Sequence, residues 1–160
     1  MAGKGTRLRP FTLTCPKPLL KIIDKPIVEH LIDQITSRLT TQIDEIIYIL
    51  SDEAYFNSDV VSSLTLIAKK YNAKTKVYRQ LDQLGTGHAI MCAEESLNGP
   101  SIVAYADTMI QGQISIAPDV DGIIWVKKVE DPSSYGVVSL DEKNNIICLL
   151  YTSPSPRDNR

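Results

Sequence analysis

The sequence is poor in the features that define several common protein classes. Only three of its 160 residues are cysteine, at Cys15, Cys92 and Cys148, and their spacing fits neither a zinc site nor an even set of disulfides. The formal net charge of −2 gives no general affinity for nucleic acid or membranes. No apolar run approaches the roughly 20 residues of a membrane-spanning helix. These absences indicate a cytoplasmic protein that binds neither nucleic acid nor membrane.

What the chain does contain is an alternation of helical and strand-like patterns, which is typical of an α/β fold. A hydrophobic content of 43% and a length of 160 residues fit one globular domain. The patterns predict helices over 26–39, within 52–71 and over 86–97, and strands over 43–50, 74–80, 101–106, 122–129 and 135–140. Gln80 and Asp107 then lie where strands end, at the edge of a parallel sheet that usually carries ligands.

A glycine-rich and cationic N-terminal stretch is the most informative part of the chain. It contains Gly3-Lys4-Gly5-Thr6-Arg7-Leu8, followed by the turn Pro16-Lys17-Pro18. Glycine lets backbone approach a ligand closely, and Arg7 and Lys17 can donate charge-assisted bonds to phosphate oxygens. The Walker A spacing is absent, and the dinucleotide motif would need a glycine where Leu8 stands. We expect a site for a nucleotide polyphosphate; the alternative is a polar loop whose cations are merely solvated.

Several motifs in order resemble the signature of sugar-1-phosphate nucleotidyltransferases. They are Gly3 to Leu8, Pro16 to Leu19, Lys25-Pro26-Ile27, Gln80 with Leu84 to Ala89, Ala106-Asp107-Thr108 and Tyr135 to Val138. The closest similarity is to the glucose-1-phosphate thymidylyltransferase-like and N-acetylglucosamine-1-phosphate uridylyltransferase-like group. It implies a Rossmann-like, three-layer α/β nucleotidyltransferase fold (glycosyltransferase-A-like) with a mixed, mostly parallel sheet.

The same resemblance implies transfer of a nucleotidyl group from dTTP or UTP to a sugar-1-phosphate, with release of pyrophosphate. The alternative is a catalytically silent relative that binds sugar nucleotides and regulates. Retention of Arg7, Lys17 and Asp107 together argues against it, because a silent relative has no chemical need for all three. The sugar and the nucleobase stay open, as does the oligomeric state, for which a homo-oligomer is one option.

Individual site residues follow from the resemblance. Arg7 and Lys17 match catalytic cations, Asp107 matches the carboxylate that holds Mg²⁺, and Gly136 matches a sugar-binding glycine. The residues that match nucleotide-binding positions are Ala2, Gly3, Gly5, Thr6, Gln80, Gly85 and Thr86. Structural roles without function are the alternatives for three of these residues: a turn cap for Asp107, a solvated side chain for Gln80 and a strand bulge for Gly136. We interpret His88 as supporting the site, because the proposed reaction needs no general acid or base.

Both ends depart from the family pattern. The glycine-rich loop normally follows a buried strand, yet only Met1 and Ala2 precede Gly3, so we expect the first strand to be missing. The stretch from Cys148 to Asp158 resembles a translated sequencing-library adapter; the alternative is a native Ser/Pro-rich tail. We therefore expect a partial nucleotidyltransferase domain over residues 1–147, a non-native tail over 148–160, and an inactive 160-residue chain whose parent is an enzyme.

Overall fold

A computed structural model describes residues 8–52, 56–112, 116, 120–133 and 135–151, with the backbone alone at Leu150 and Tyr151. Its α-helices there are α1 (Ile27–Thr36), α2 (Ser58–Lys69) and α3 (Thr86–Met91). Its strands are β1 (Lys21–Ile22), β2 (Lys25–Pro26), β3 (Glu45–Leu50), β4 (Lys74–Arg79), β5 (Gly136–Leu140) and β6 (Ile146–Tyr151). Short 3-10 helices cover Phe11–Leu13, Lys17–Leu19 and Glu94–Ser96. The chain divides into two compact units, Met1–Ser115 and Ile116–Arg160.

The centre of the first unit is a parallel pair of strands, β3 and β4. Their register runs from Glu45 opposite Lys74 to Leu50 opposite Arg79. The Ile-Ile-Tyr-Ile-Leu run of β3 suits a pleated, largely buried strand because its side chains are β-branched, aromatic or otherwise apolar. The amide of Gln80 continues the pairing with a 2.8 Å bond to the carbonyl of Leu50. The strands predicted over 43–50 and 74–80 are confirmed, with β3 beginning at Glu45.

Helices α1 and α2 supply the apolar faces that cover this pair. Leu31, Ile32 and Ile35 of α1 are buried, as the three- and four-residue spacing predicts. The core cluster consists of Val28, Ile32, Tyr48, Leu50, Phe56, Val60, Leu64 and Ile67. Helix α2 begins after Asn57, whose side chain accepts bonds from the amides of Asp59 and Val60, each at 3.1 Å. Burial of each large apolar side chain stabilises the fold by about 1.5–3 kcal/mol.

Two predictions in the first unit are wrong. Residues 101–106 have no regular secondary structure and pair with no strand among the described residues. Ile102 and Val103 of this segment line an apolar cavity together with Ile46 and Ile49 of β3. Apolar composition alone therefore does not make a strand, since a strand also needs a backbone partner. Helix α3 ends at Met91, well before the predicted Leu97, and a 3-10 turn over Glu94–Ser96 replaces its C-terminal part.

The second unit contains the antiparallel hairpin of β5 and β6. Gly136 pairs with Tyr151, and the ladder is irregular between Ser139 and Leu140. The strand predicted over 135–140 is therefore confirmed, and β6 crosses the predicted boundary after residue 147, which stays a prediction. The strand predicted over 122–129 is wrong, because that stretch has no partner among the described residues, and its Trp125 is 42% exposed.

Candidate functional site

A turn brings Lys17 to the surface near the end of segment 101–106. Pro16 and Pro18 are buried on either side of it, and the amide of Leu19 donates to the carbonyl of Pro16 at 2.8 Å. The fixed φ angle of proline favours such a tight turn, with Lys17 projecting between the two anchored rings. Its Nζ lies 2.9 Å from Oδ2 of Asp107, 90 residues away in the chain. Two predicted site residues are thus in direct contact.

Asp107 lies in a turn closed by a 3.0 Å bond from the amide of Thr108 to the carbonyl of Tyr105. The hydrogen bond from Lys17 lowers the pKa of the Asp107 carboxyl below its usual value, although partial burial opposes this change. The side chains are 31% and 56% exposed, respectively, so the pair is screened by water and salt. A phosphate could therefore bind Lys17, and a metal cation could bind Asp107. Breaking the ion pair between the two side chains would cost little stability.

The chemistry of Asp107 fits a divalent cation. Its carboxylate is a hard oxygen ligand of the kind that Mg²⁺ prefers, and 56% of its side chain is open to solvent. Within the described residues there is no group of three or more His, Cys, Asp or Glu side chains that could hold a metal together. This is compatible with Mg²⁺, which commonly takes one or two carboxylates and completes its shell with phosphate oxygens and water.

Gln80 and Gly85 form a second cluster, at the end of β4. Gln80 is only 3% exposed, so its interpretation as a solvated side chain is wrong. Its Nε2 lies 2.9 Å from the carbonyl oxygen of Gly85 and 3.1 Å from Nδ1 of His88. The structure thus joins a predicted nucleotide-binding side chain to a predicted nucleotide-binding backbone position, and His88 of α3 contacts the same amide.

Gly85 occupies a backbone conformation that other residues rarely adopt. Its φ is +101°, and a Cβ there would meet no atom within 4 Å, so conformation alone favours glycine. Its carbonyl accepts the first bond of α3 from Ala89 at 3.2 Å as well as the bond from Gln80. Thr86 follows as the first, exposed residue of α3. Replacement of Gly85 would therefore disturb the start of α3 and the Gln80 amide together.

The remaining predicted positions divide into two groups. Gly136 begins β5 in the second unit, and the ladder irregularity lies at Ser139, so the interpretation of Gly136 as a bulge is wrong. Outside the described residues lie Ala2, Gly3, Gly5, Thr6 and Arg7.

Sequence reasoning missed one residue that shapes the Gln80 edge. Arg79 donates from its two terminal nitrogens to the carbonyls of Ser51 at 2.9 Å and Phe56 at 2.8 Å. It thereby ties the end of β4 to the segment that follows β3. A cation immediately before the predicted base-reading residue was a visible signal, but its partners are backbone carbonyls that sequence does not identify.

Comparisons with known proteins identify the family of this chain. The family model described as nucleotidyl transferase matches residues 1–150. The bifunctional protein GlmU of Methanococcus maripaludis is 34% identical over 149 residues, which cover 93% of this chain and 33% of that protein. A mannose-1-phosphate guanyltransferase of Aspergillus oryzae is 31% identical over 147 residues, covering 86% and 39%. The chain therefore spans little more than a third of the length of these curated relatives.

A solved structure supports the fold. A crystal structure from Bacillus anthracis, described as a glucose-1-phosphate thymidylyltransferase in complex with sucrose, superimposes with a TM-score of 0.70. The match covers 98% of this chain and 63% of that one at 20% identity, which is evidence for the fold alone. The predicted Rossmann-like α/β fold class is confirmed. No helix in the described part of the chain is long and apolar enough to cross a membrane. Because the family model matches residues 1–150 of the 160, the chain belongs to the nucleotidyl transferase family.

Proposed function

We propose that the protein carrying this chain transfers a nucleotidyl group from a nucleoside triphosphate to a sugar-1-phosphate and releases pyrophosphate. The observation that carries the proposal is the 2.9 Å contact between Lys17 and Asp107, a cation and a carboxylate held together at one surface. Both residues lie in the motifs that match the family, whose members bind a nucleoside triphosphate and a sugar-1-phosphate. Family membership supports the class of reaction, and the contact between Lys17 and Asp107 supports a shared site for these two motifs.

The reaction needs positioning and charge neutralisation more than acid–base catalysis. A phosphate oxygen of the sugar-1-phosphate attacks the α-phosphorus, the bond from that phosphorus to the β-phosphate bridging oxygen breaks, and pyrophosphate leaves. Because the attacking phosphate is already ionised near neutral pH, no general base is required. Correct alignment of two anions can lower a barrier by about 7–11 kcal/mol in favourable cases. In this proposal Lys17 and Arg7 neutralise the α-phosphate, while Gly3, Gly5 and Thr6 bind the triphosphate.

Asp107 is the proposed metal-holding residue. Members of the family generally use a divalent metal, and we propose Mg²⁺ here because Asp107 offers a hard carboxylate. When bound, Mg²⁺ would neutralise charge on the phosphate oxygens. Asp107 would exchange its bond to Lys17 for the cation, which frees Lys17 to donate to phosphate. The ion pair seen between them then keeps both side chains in place before substrates bind.

Gln80 is the proposed reader of the nucleobase, with dTTP or UTP as the donor. Its buried position beside Gly85 supports a fixed amide that a base could contact at the sheet edge. The proposed acceptor is a hexose-1-phosphate, with Gly136 at its site. The three cysteines, which match no disulfide framework or metal spacing, support a reducing cytoplasm as the setting.

The test is pyrophosphate release by the full-length protein that contains this sequence. Each nucleoside triphosphate is combined with several sugar-1-phosphates in the presence of Mg²⁺. We expect at least one pair that includes UTP or dTTP to turn over. Lys17→Ala and Asp107→Asn should each lower kcat about 100-fold or more, since each removes charge stabilisation of the reacting phosphates.

The matched control is Lys21→Ala, which removes an exposed cation four residues from Lys17 and should leave kcat within about twofold. If no pair releases pyrophosphate although nucleotide sugars still bind, the protein is a silent regulatory relative and the proposal is wrong. Equal losses in the Lys17 and Lys21 variants would show that general charge, not the Lys17 contact, supports the reaction.

A further inference from the structure

The amide of Gln80 is held by two acceptors that differ in chemistry. Nε2 lies 2.9 Å from the carbonyl oxygen of Gly85 and 3.1 Å from Nδ1 of His88. A carbonyl oxygen only accepts hydrogen bonds, so it identifies the amide atom beside it as the NH₂ nitrogen, since the amide oxygen in that place would face another oxygen. The carbonyl of Gly85 thus identifies which end of the Gln80 amide is the nitrogen.

The same geometry determines the state of His88. Amide nitrogen has two hydrogens and accepts none, so Nδ1 of His88 must accept the second one. The imidazole is therefore neutral and carries its proton on Nε2. Both N–H groups of Gln80 are then used within the chain, one by Gly85 and one by His88.

Only the oxygen of the Gln80 amide is left for a ligand. No group in the described part of the chain donates to Oε1. Ser51 Oγ is the single side-chain polar atom there that is both buried and without a partner, so Oε1 is not sealed from outside although Gln80 as a residue is 3% exposed. Gln80 therefore presents one acceptor and no donor.

We propose that His88 is a positioning residue that, together with Gly85, locks Gln80 so that Oε1 alone faces the nucleobase. This inference rests on the proposed function, because it assumes that Gln80 contacts the base. An acceptor favours a base whose ring nitrogen carries hydrogen, such as N3–H of uracil or thymine. It disfavours cytosine, whose N3 is itself an acceptor, because two acceptors would face each other. The lock thus selects UTP or dTTP over CTP.

Removal of His88 should weaken this selection. The second N–H of Gln80 would lose its partner, so that only the bond to Gly85 would oppose a turn of the amide that offers a donor to cytosine N3. In contrast, His88→Asn keeps an acceptor oxygen near the place of Nδ1. His30→Ala is the matched control, because His30 is the other histidine of the chain and its Nε2 lies 3.0 Å from the carbonyl of Ile22, in a different part of the fold.

Two measurements on the full-length protein test the proposal. Nitrogen NMR shifts of the imidazole, assigned by comparison with the His88→Ala variant, report the tautomer without any nucleotide; the expected result is a proton on Nε2. Titration with UTP and CTP then gives the ratio of the two dissociation constants. We expect His88→Ala to reduce the preference for UTP about tenfold, the size of one lost hydrogen bond. His88→Asn and His30→Ala should keep it.

The outcomes separate this proposal from the function on which it rests. A proton on Nδ1 of His88 would overturn the lock, whatever the nucleotide data. An unchanged UTP to CTP ratio in His88→Ala would overturn base selection, and equal weakening of both nucleotides would show a merely structural role. If the wild-type protein binds no nucleotide, the proposed function is wrong and base selection with it, while the NMR result still decides whether His88 accepts from Gln80.

Discussion

Ser51 illustrates how one hydroxyl can limit stability. It is 2% exposed, and its Oγ is buried without a hydrogen-bond partner among the described residues. A buried polar group without a partner costs about 1–3 kcal/mol in desolvation. We therefore expect Ser51→Ala to raise the free energy of unfolding of the full-length protein by about 1 kcal/mol, measured by denaturant titration.

The control for this prediction is Ser37→Ala, which removes an exposed hydroxyl at the end of α1. It should change the free energy of unfolding by less than about 0.5 kcal/mol. A loss of stability in Ser51→Ala would contradict the prediction and show that Oγ has a partner in solution.

The Lys17 to Asp107 pair predicts a pH dependence with a definite sign. The hydrogen bond from Lys17 lowers the pKa of Asp107 in the folded protein. A carboxyl with a lowered folded pKa contributes stability above its unfolded pKa, near 3.8, and loses it as pH falls through the folded value. Asp107→Asn should therefore be slightly less stable than wild type at neutral pH.

The difference in unfolding free energy between Asp107→Asn and wild type should be small and should depend on salt and pH. Because the Asp107 side chain is 56% exposed, we expect less than about 1 kcal/mol at low salt, and less still at high salt. Chemical unfolding at pH 7 and at pH 3 checks it, and the gap in unfolding free energy between variant and wild type should narrow at the lower pH. A gap that widens on acidification would contradict the assignment of the lowered pKa to this pair.

Sequence predicted some of these residue contacts and not others. The meeting of Lys17 and Asp107 follows from family motifs and from the rule that strand ends collect ligands, although residues 101–106 are not a strand. The burial of Gln80 was not predictable, because it depends on the carbonyl of Gly85 and on the ring of His88. The start of α3 was predicted at residue 86, but the contacts also depend on the positive φ of Gly85 and on the approach of α3 to the end of β4, which sequence patterns do not define.

Helices α1 and α2 are joined by polar contacts at the edge of the core. The Nζ of Lys70, just after α2, lies 2.7 Å from Oε1 of Glu29 on α1, whose side chain is only 5% exposed. Tyr71 donates to Oδ1 of Asp33 at 2.7 Å. Burial raises the pKa of Asp33, but hydrogen bonds from Lys25 and Tyr71 outweigh it, so that the net change is a lowered pKa. Two carboxylates of α1, Glu29 and Asp33, thus bind the side chains of Lys70 and Tyr71, which follow α2.

The prediction at this scale concerns Lys70→Ala. It leaves the buried carboxylate of Glu29 without its cation, so we expect a loss of about 1–2 kcal/mol in the free energy of unfolding. The loss is below that of a fully buried pair, because 57% of the Lys70 side chain is exposed. Denaturant titration of the full-length protein measures it.

A double-mutant cycle provides the control. In the Glu29→Gln background, Lys70→Ala should cost less than about 0.5 kcal/mol, because no buried charge is left unpaired. Lys69→Ala, at the neighbouring position on α2, should be nearly neutral in both backgrounds. Additive losses from Glu29→Gln and Lys70→Ala would show that the contact contributes nothing to the link between the helices.

Elements differ in how well sequence predicts them, and the reason is their partners. The strand over 43–50 was predictable because its own residues are apolar and β-branched and β4 pairs with it in register. Residues 101–106 have similar composition, yet a strand also needs a backbone neighbour, and they pair with no strand among the described residues. Helix α3 likewise stops at Met91 although its apolar pattern continues to Leu97. Local pattern predicts a tendency, and tertiary contacts decide its extent.

On the scale of the whole molecule, many large apolar side chains lie at the surface instead of in the core. Val103, Tyr105 and Met109 are half exposed in the first unit, and Ile124 and Val126 are 54% and 57% exposed in the second. Soluble monomers rarely expose apolar patches larger than a few hundred Å². Because the relatives are nearly three times as long as the stretch that matches, further chain is available in them to cover such residues.

We therefore expect the same substitution to act differently in two contexts. In a protein of the relatives' full length, Val126→Lys should lower the free energy of unfolding by about 2 kcal/mol, since the valine would be buried there. In the 160-residue chain alone it should instead reduce self-association and binding of an apolar dye, because it removes exposed apolar surface. Leu66→Lys is the control that should be tolerated in both, because Leu66 of α2 is 62% exposed. Sedimentation, dye fluorescence and denaturant titration measure these effects, and equal tolerance of Val126→Lys and Leu66→Lys in the long protein would mean that Val126 stays at the surface.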